Sequence, residues 1–161
     1  MEKIIDIQKA VARAQSLKAE GKTIVLAGGC FDILHIGHIE FIKEAKKTAN
    51  ILFLLLESDE RIRGLKGNNR PINSQIDRAL VLESIVYTDF IVLLPNFKSD
   101  IEYDEMISGL KPDIIAATKT DPGRIHKERQ ANNLGIRVVD VIERFENSST
   151  SRIAKFLEKE I

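Results

Sequence analysis

In the stretch TIVLAGGCFDILHIGH, residues 23–38, a short apolar run leads through two glycines to two histidines three residues apart. Residues 23–27 are apolar and rich in β-branched side chains, which is typical of a strand covered on both faces. Gly28 and Gly29 have no Cβ atom, so the backbone can approach a ligand closely there. The stretch therefore predicts a buried strand that ends at a ligand site.

The two histidines fall at the start of a predicted helix, because apolar residues recur at helical spacing from Ile36 onward. His35 and His38 then lie near the amino end of that helix and on one side of it. Free backbone N–H groups and the helix dipole attract anions to this end. Imidazole rings add hydrogen-bond donors that need no full charge at neutral pH. The pattern predicts a phosphate site.

Two other interpretations of these residues are weaker. A zinc site needs further ligands, and only His126 and Cys30 remain as histidine or cysteine donors. We therefore expect no metal held by this pair, and we expect Cys30 to be small buried filler. Residues 21–23 resemble the end of a P-loop, but Ser16 stands where the first glycine belongs and the tripeptide precedes a strand.

Short apolar strands alternate with helices along the rest of the chain, which predicts a parallel, doubly wound sheet with helices on both faces. The expected fold is α/β and Rossmann-like, a single domain over residues 1–161 with five strands and an appended amino-terminal helix over 6–20. Ligands bind such sheets beyond the carboxyl ends of the strands. The predicted strands are 23–27, 51–57, 90–94, 113–117 and 136–139, and the further helices lie near 37–48, 75–86, 101–109, 123–133 and 150–160.

Bulk properties exclude several classes of protein. The chain has 161 residues and a formal net charge of zero, which disfavours a general nucleic-acid binder. Its single cysteine gives no sign of oxidative export, and its amino terminus lacks the apolar stretch of a signal peptide. The densest apolar run, residues 51–56, is too short to cross a membrane. We expect a cytoplasmic protein that binds neither membranes nor nucleic acid.

Two polar segments are candidates for phosphate contacts. Residues 57–70 are basic and contain glycines, which predicts a mobile loop, although composition alone favours a solvated surface loop. Near the carboxyl end, hydroxyl side chains at 148–151 precede the last predicted helix and follow Arg144. Such residues commonly cap helices, and they can also face a phosphate at a helix amino end.

The run GGCFDILHIGHIEFIKEAK, residues 28–46, resembles the first signature of the H-x-G-H nucleotidyltransferase superfamily. It is most similar to the adenylyltransferase domain that acts on heptose 1-phosphate, and next to glycerol-3-phosphate cytidylyltransferase. The resemblance runs in the family's order over nearly the whole chain from about Ile7. It continues through residues 58–60, 65–67, 70–73, Arg78, 111–113 and 144–151.

The resemblance implies nucleotidyl transfer from ATP or CTP, with Mg²⁺, to a phosphorylated small molecule. His35 and His38 would serve the α-phosphate and the departing bridge oxygen, and Lys66 would approach the reacting phosphates as a mobile cation. Asp32 is expected to fix the turn or to contact a histidine, because an ionised phosphate nucleophile has no proton to surrender. The remaining nucleotide-binding positions would be Gly28, Gly29, Cys30, Phe31, Asp32 and Gly37.

Further phosphate contacts are implied by the later motifs. Arg144 would hold the β- and γ-phosphates together with Ser149 and Thr150, within a binding segment that also includes Ser148 and Ser151. Arg78 aligns with the family's arginine after R-P-I and is assigned to substrate or phosphate binding.

The chain departs from its relatives after residue 115, where residues 116–123 replace a glycine-aspartate segment. Base and acceptor specificity therefore stay open. The first interpretation is adenylyl transfer from ATP to a sugar 1-phosphate, and the second is cytidylyl transfer from CTP to glycerol 3-phosphate or another polyol phosphate. A non-catalytic nucleotide-binding module is a further alternative. Related small transferases often pair, so a homodimer is expected by analogy alone.

Overall fold

One parallel sheet organises residues 2–143, the part of the chain that the computed structural model describes. Strands and helices alternate along this part, with helices packed on the sheet. The elements are β1 (Ile4–Ile5), α1 (Ile7–Ala19), β2 (Ile24–Gly29), α2 (Ile36–Lys47), β3 (Ile51–Leu56), α3 (Asp59–Lys66), α4 (Gln75–Glu83), β4 (Phe90–Leu93), α5 (Asp100–Leu110), β5 (Ile114–Thr118), α6 (Arg124–Leu134) and β6 (Arg137–Ile142).

The order of the strands places a ligand crevice at β2. The sheet runs β1-β4-β3-β2-β5-β6, and every neighbouring pair is parallel. From β2 the chain winds first toward β3 and β4, and later returns to the other side of β2 as β5. Strand order reverses at this point, and ligands of doubly wound sheets bind where it does. The predicted Rossmann-like parallel α/β fold is confirmed.

The predicted number of strands is wrong, because the described sheet has six strands instead of five. The additional strand is β1, in which Ile4 and Ile5 pair with Ile91 and Val92 of β4. Two residues are too few to show a periodic pattern. Only its position beside β4 makes this segment a strand.

The segment 57–70, predicted to be a mobile basic loop, contains helix α3 instead. The Ser58 hydroxyl accepts the backbone N–H of Arg61 at 3.2 Å and caps the helix. Ile62 is fully buried and anchors the helix to the protein. Acidic residues in the first turn and basic residues in the last turn complement the helix dipole. With one buried apolar residue and an internal glycine, α3 shows little helical periodicity in sequence.

Helix α2 is held firmly against the sheet by buried side chains at Phe41, Ile42 and Ala45. It packs on strands β2, β3 and β6, since Val25, Ala27, alternate residues of β3 and apolar residues of β6 belong to the same apolar cluster. This packing fixes the amino end of α2 beside the carboxyl end of β2. None of the helices in residues 2–143 is long and apolar enough to cross a membrane. The predicted helix 150–160 lies outside the described residues.

Candidate functional site

The loop from β2 to α2 turns sharply at Gly29 and Phe31. A Cβ atom at Gly29 would lie 3.0 Å from the ring of Phe31, so a larger residue there would need this buried ring to shift. Phe31 itself has a φ of 46°, in the left-handed region that few non-glycine residues adopt. Its ring is buried and meets the His38 ring edge-on, with 5.4 Å between ring centroids. The loop therefore holds the start of α2 close to the end of β2.

Asp32 fastens this loop to residues 70–73. Its carboxylate, which is 3% exposed, accepts Arg70 Nε at 2.6 Å and the backbone N–H groups of Ile72 and Asn73 at 2.9 and 3.0 Å. Asn73 returns a bond from its side-chain amide to the Asp32 carbonyl at 2.9 Å. Burial raises the pKa of Asp32, but these donors outweigh burial and hold the pKa below its usual value. Asp32 is thus an ionised structural anchor of the turn.

The two histidine rings lie together at the amino end of α2. His35 is the N-cap, and its Nδ1 accepts the backbone N–H of Gly37 at 3.1 Å. The ring centroids of His35 and His38 are 3.9 Å apart, with 31° between the planes. Because Nδ1 of His35 accepts a hydrogen bond, the neutral ring carries its proton on Nε2. That nitrogen is therefore a donor.

Burial keeps both rings uncharged. It lowers the pKa of His38 to about 4, with smaller contributions from His35 and from the positive charge of Lys66. Burial also lowers the pKa of His35. The Nδ1 atom of His38 is buried and finds no hydrogen-bond partner among residues 2–143. Two neutral imidazoles thus stand where helix N–H groups and the helix dipole attract an anion.

Lys66 brings a positive charge to the same crevice from α3. It is the last residue of that helix, which ends at Gly67 with a φ of 94°. Its charge lowers the pKa of His38, as noted, and acts on the Cys30 thiol as well. Burial is the larger influence on Cys30 and raises the pKa of the thiol, so Cys30 stays protonated.

Arg78 is predicted to bind substrate or phosphate, but its guanidinium instead forms hydrogen bonds within the protein. Its side chain has no exposed surface, and it lies beneath the loops that follow β2 and β3. The guanidinium donates to the carbonyls of Cys30, Glu57 and Asn73 at 2.5, 2.8 and 3.1 Å, and to the Asp59 carboxylate at 2.8 Å. Most of its donors are used by these bonds. In this structure Arg78 positions the loops.

Glu57 and Tyr103 form a pair at the carboxyl edge that the sequence did not reveal. Glu57 is the first residue after β3, and the hydroxyl of Tyr103 on α5 reaches both of its carboxylate oxygens, at 3.0 and 2.9 Å. Burial raises the pKa of Glu57. The partners are 46 residues apart in sequence, so no local pattern marks them.

The segment that departs from the family's pattern forms ion pairs on the protein surface. Lys119, considered as an acceptor contact, pairs with Glu143 at 2.7 Å and is 64% exposed. His126 is also exposed and lies 3.2 Å from Asp100. Neither residue lies beside the stacked histidines.

The structure therefore brings most of the predicted site residues together between the end of β2 and the start of α2, with Lys66 on α3. The end of β2, the loop that follows it and the first turn of α2 carry Gly28, Gly29, Cys30, Phe31, Asp32, His35, Gly37 and His38. Arg144, Ser148, Ser149, Thr150 and Ser151 lie outside the described residues. Within residues 2–143 no cluster of three or more His, Cys, Asp or Glu side chains could hold a metal ion.

The chain is similar to proteins of known family. A family model described as Cytidylyltransferase-like matches residues 26–156. The Bifunctional protein HldE of Wolinella succinogenes is 37% identical over 154 residues, covering 96% of this chain and 31% of that protein. The protein of the same name from Campylobacter jejuni is 36% identical over 156 residues, covering 94% of this chain and 32% of that protein. The chain thus spans about a third of the length of these relatives.

Solved structures share the fold. A lipopolysaccharide core biosynthesis protein from Thermoplasma volcanium superposes with a TM-score of 0.62 at 27% identity, over 80% of this chain and all of that one. Pantoate-beta-alanine ligase from Francisella tularensis gives a TM-score of 0.66 at 16% identity, over 96% of this chain and 73% of that one. The second likeness concerns the fold alone.

Proposed function

This chain belongs to the cytidylyltransferase-like family, and from that premise we propose that it is a nucleotidyltransferase acting on a phosphorylated small molecule. It moves a nucleoside monophosphate from ATP to a sugar 1-phosphate and releases pyrophosphate. The observation that carries the proposal is the pair of stacked, neutral imidazoles at the amino end of α2. The resemblance to the heptose 1-phosphate adenylyltransferase domain favours ATP over CTP.

The proposed reaction needs little covalent chemistry from the protein. An oxygen of the acceptor phosphate attacks the α-phosphorus, the bond from that phosphorus to the bridging oxygen breaks, and pyrophosphate leaves with the electron pair. The attacking phosphate is already ionised, so no general base is required. This agrees with Asp32, whose carboxylate is engaged with Arg70 and two backbone N–H groups. Placement and neutralisation of charge supply most of the acceleration.

The histidines supply donors where negative charge grows. We assign the α-phosphate oxygens and the departing bridge oxygen to the N–H groups of His35 and His38. A neutral imidazole donates one hydrogen bond without giving up a proton, which suits a reaction that transfers none at these atoms. The rings are held by the Gly37 N–H and by the Phe31 ring, so they need little rearrangement when charge develops.

Lys66 supplies the mobile positive charge in this scheme, because it ends a helix that only Ile62 anchors by a fully buried side chain. We retain the assignment of the β- and γ-phosphates to Arg144 and residues 148–151. Mg²⁺ has no protein ligand cluster among residues 2–143. We propose that Mg²⁺ would bind with the triphosphate and partly neutralise its charge. We also retain the proposals of a cytoplasmic location and a homodimer.

Pyrophosphate release tests the proposal. Four nucleoside triphosphates are each combined with sugar 1-phosphates and with glycerol 3-phosphate. Turnover of ATP with a sugar 1-phosphate is the expected result. Turnover of CTP with glycerol 3-phosphate would establish the second interpretation, and no pyrophosphate from any pair would leave a non-catalytic nucleotide-binding module.

The same assay on two lysine variants tests the proposed role of Lys66. Lys66→Met should lower pyrophosphate release about tenfold or more, because it removes a cation beside the reacting phosphates. Lys22→Met is the matched control, since Lys22 is an exposed lysine that precedes β2 at the opposite edge of the sheet. Equal rates in the two variants would remove Lys66 from the mechanism.

A further inference from the structure

Resting on the proposed function, we propose that Glu57, oriented by Tyr103, selects the acceptor. Its carboxylate accepts hydrogen bonds from the hydroxyl groups of a sugar phosphate whose phosphate group faces Lys66. Glu57 thereby favours neutral, hydroxylated acceptors and rejects acceptors that carry an additional anion.

The position of Glu57 places it beside the histidine loop. It directly follows β3, the strand next to β2, and its backbone N–H donates to the Gly29 carbonyl at 3.3 Å. The Cys30 thiol experiences the charges of both Lys66 and Glu57. A cation and an anion therefore flank the same end of β2. An acceptor with a phosphate at one end and hydroxyl groups at the other matches this polarity.

Tyr103 fixes the direction of the carboxylate. Its ring packs edge-on against Phe97, with centroids 4.8 Å apart, and the guanidinium of Arg61 lies 5.9 Å from its ring centroid. The Tyr103 hydroxyl has one proton to share between the two Glu57 oxygens, whereas a carboxylate has about four acceptor positions. No other donor within residues 2–143 reaches the Glu57 carboxylate. Acceptor capacity is thus left for a ligand, on a half-buried side chain.

The charges around Glu57 favour hydroxyl groups over a cation. Burial raises the pKa of Glu57, and the positive charges of Arg61 and Arg78 act in the opposite direction. A cationic ligand at this place would be repelled by these two guanidinium groups. Neutral donors, by contrast, restore hydrogen bonds that burial removes from the carboxylate. A ligand carboxylate in contact with Glu57 has no proton to donate to it, and the two like charges repel each other.

The direct test compares two acceptors that differ at one group. Glucose 1-phosphate and glucuronic acid 1-phosphate, each with ATP, carry a hydroxymethyl group and a carboxylate at C6. The wild type should prefer glucose 1-phosphate, and Glu57→Gln should reduce the ratio of the two kcat/KM values by about tenfold or more. The KM for ATP should stay unchanged. Glu60→Gln is the matched control, because it removes an exposed carboxylate from α3 and should preserve the ratio.

The role of Tyr103 has its own signature. Tyr103→Phe keeps the ring and removes the hydroxyl, so it should raise the KM for glucose 1-phosphate severalfold and leave kcat near the wild-type value. An unchanged acceptor ratio in Glu57→Gln overturns the proposal. So does a wild-type preference for glucosamine 1-phosphate that Glu57→Gln abolishes, because this would show recognition of a cation.

A binding measurement separates this proposal from the proposed function. The chain has two tyrosines and no tryptophan, so in a Tyr87→Phe background Tyr103 is the only fluorescent indole or phenol side chain. Glucose 1-phosphate, added with α,β-methylene ATP, should change its emission, and the additional Glu57→Gln change should weaken that response. If no acceptor gives pyrophosphate, the proposed function fails. The Tyr103 emission then tests the acceptor site independently. A change on adding glucose 1-phosphate supports the acceptor site, and no change overturns it.

Discussion

At the scale of single residues, the proposed chemistry depends on two imidazoles that burial keeps neutral. The ring centroids lie 3.9 Å apart, which disfavours charging both rings at once, because the two charges would repel each other. Burial acts in the same direction and brings the pKa of His38 to about 4. The pair therefore offers N–H donors at neutral pH without charge repulsion between the rings.

Replacing His38 should impair the reaction far more than the fold. His38→Ala removes a donor from the proposed α-phosphate site, which should reduce kcat about a hundredfold, equivalent to about 3 kcal/mol of transition-state stabilisation. His126→Ala is the control, since His126 is an exposed histidine paired with Asp100. Pyrophosphate release and urea unfolding are measured on both variants. Normal turnover in His38→Ala would eliminate the assignment.

The low pKa of His38 also predicts how stability depends on pH. Between its usual pKa of 6.5 and its folded value of about 4, the unfolded chain binds a proton that the folded protein does not. The free energy of unfolding should therefore fall as pH drops through this interval, by up to about 3 kcal/mol from this group. Urea unfolding at pH 7 and pH 4.5 should show a smaller loss in His38→Asn than in the wild type. The same loss in both proteins would contradict the pKa.

The sequence predicted the part of the site that is contiguous. Gly29, Asp32 and the two histidines lie within ten residues of each other, and local periodicity places them between a strand and a helix. Arg78 illustrates the opposite case, because three of its four acceptors lie 19 to 48 residues away in sequence. Glu57 and Tyr103 likewise meet only after the sheet has formed.

At the scale of elements, α3 determines where Lys66 stands. The helix is short and its composition is polar, so it depends on the Ser58 cap and on the buried side chain of Ile62. Gly64 lies inside it and lowers its intrinsic stability. A stronger α3 should hold Lys66 more firmly.

Two glycine substitutions test this element. A Cβ atom at Gly64 would meet nothing within 4 Å, so Gly64→Ala should raise the free energy of unfolding by about 0.5–1 kcal/mol. Gly67→Ala also meets open space, but its φ of 94° makes an added Cβ costly by about 1–3 kcal/mol. Urea unfolding should therefore move in opposite directions for the two variants. A shift of the same sign in both would contradict the bounds of α3.

Arg78 links elements that are separate in sequence. Arg78→Met leaves three carbonyls and the Asp59 carboxylate without this donor, so the free energy of unfolding should fall by about 3–5 kcal/mol. Arg63→Met removes an exposed arginine that pairs with Glu60 and should cost less than about 1 kcal/mol. A folded Arg78→Met protein with the wild-type urea midpoint and weakened ATP binding would restore the predicted substrate contact.

Elements with an evident period were predictable, and those defined by their neighbours were not. The strands β2 to β6 lie within a few residues of the predicted segments, because each is a distinct apolar run. Strand β1 and helix α3 have too few apolar residues to give a periodic signal. Strand β1 forms because it pairs with β4, and α3 is stabilised by the burial of Ile62.

At the scale of the whole molecule, the order of the strands assembles the site. Because β3 and β5 flank β2, the glycine-histidine loop lies at the reversal of the sheet, with Glu57 and α3 on one side. Each of these groups follows the carboxyl end of a strand. The same arrangement accounts for the proposed orientation of both substrates, with the triphosphate on the histidines and the acceptor toward β3.

A crystal structure of the protein with α,β-methylene ATP tests this account most directly, because the analogue cannot lose its pyrophosphate group. The account predicts α-phosphate oxygens within hydrogen-bond distance of both His35 and His38, with Lys66 nearby. A triphosphate bound elsewhere, or a crevice at the amino end of α2 that stays empty at saturating analogue, would contradict it.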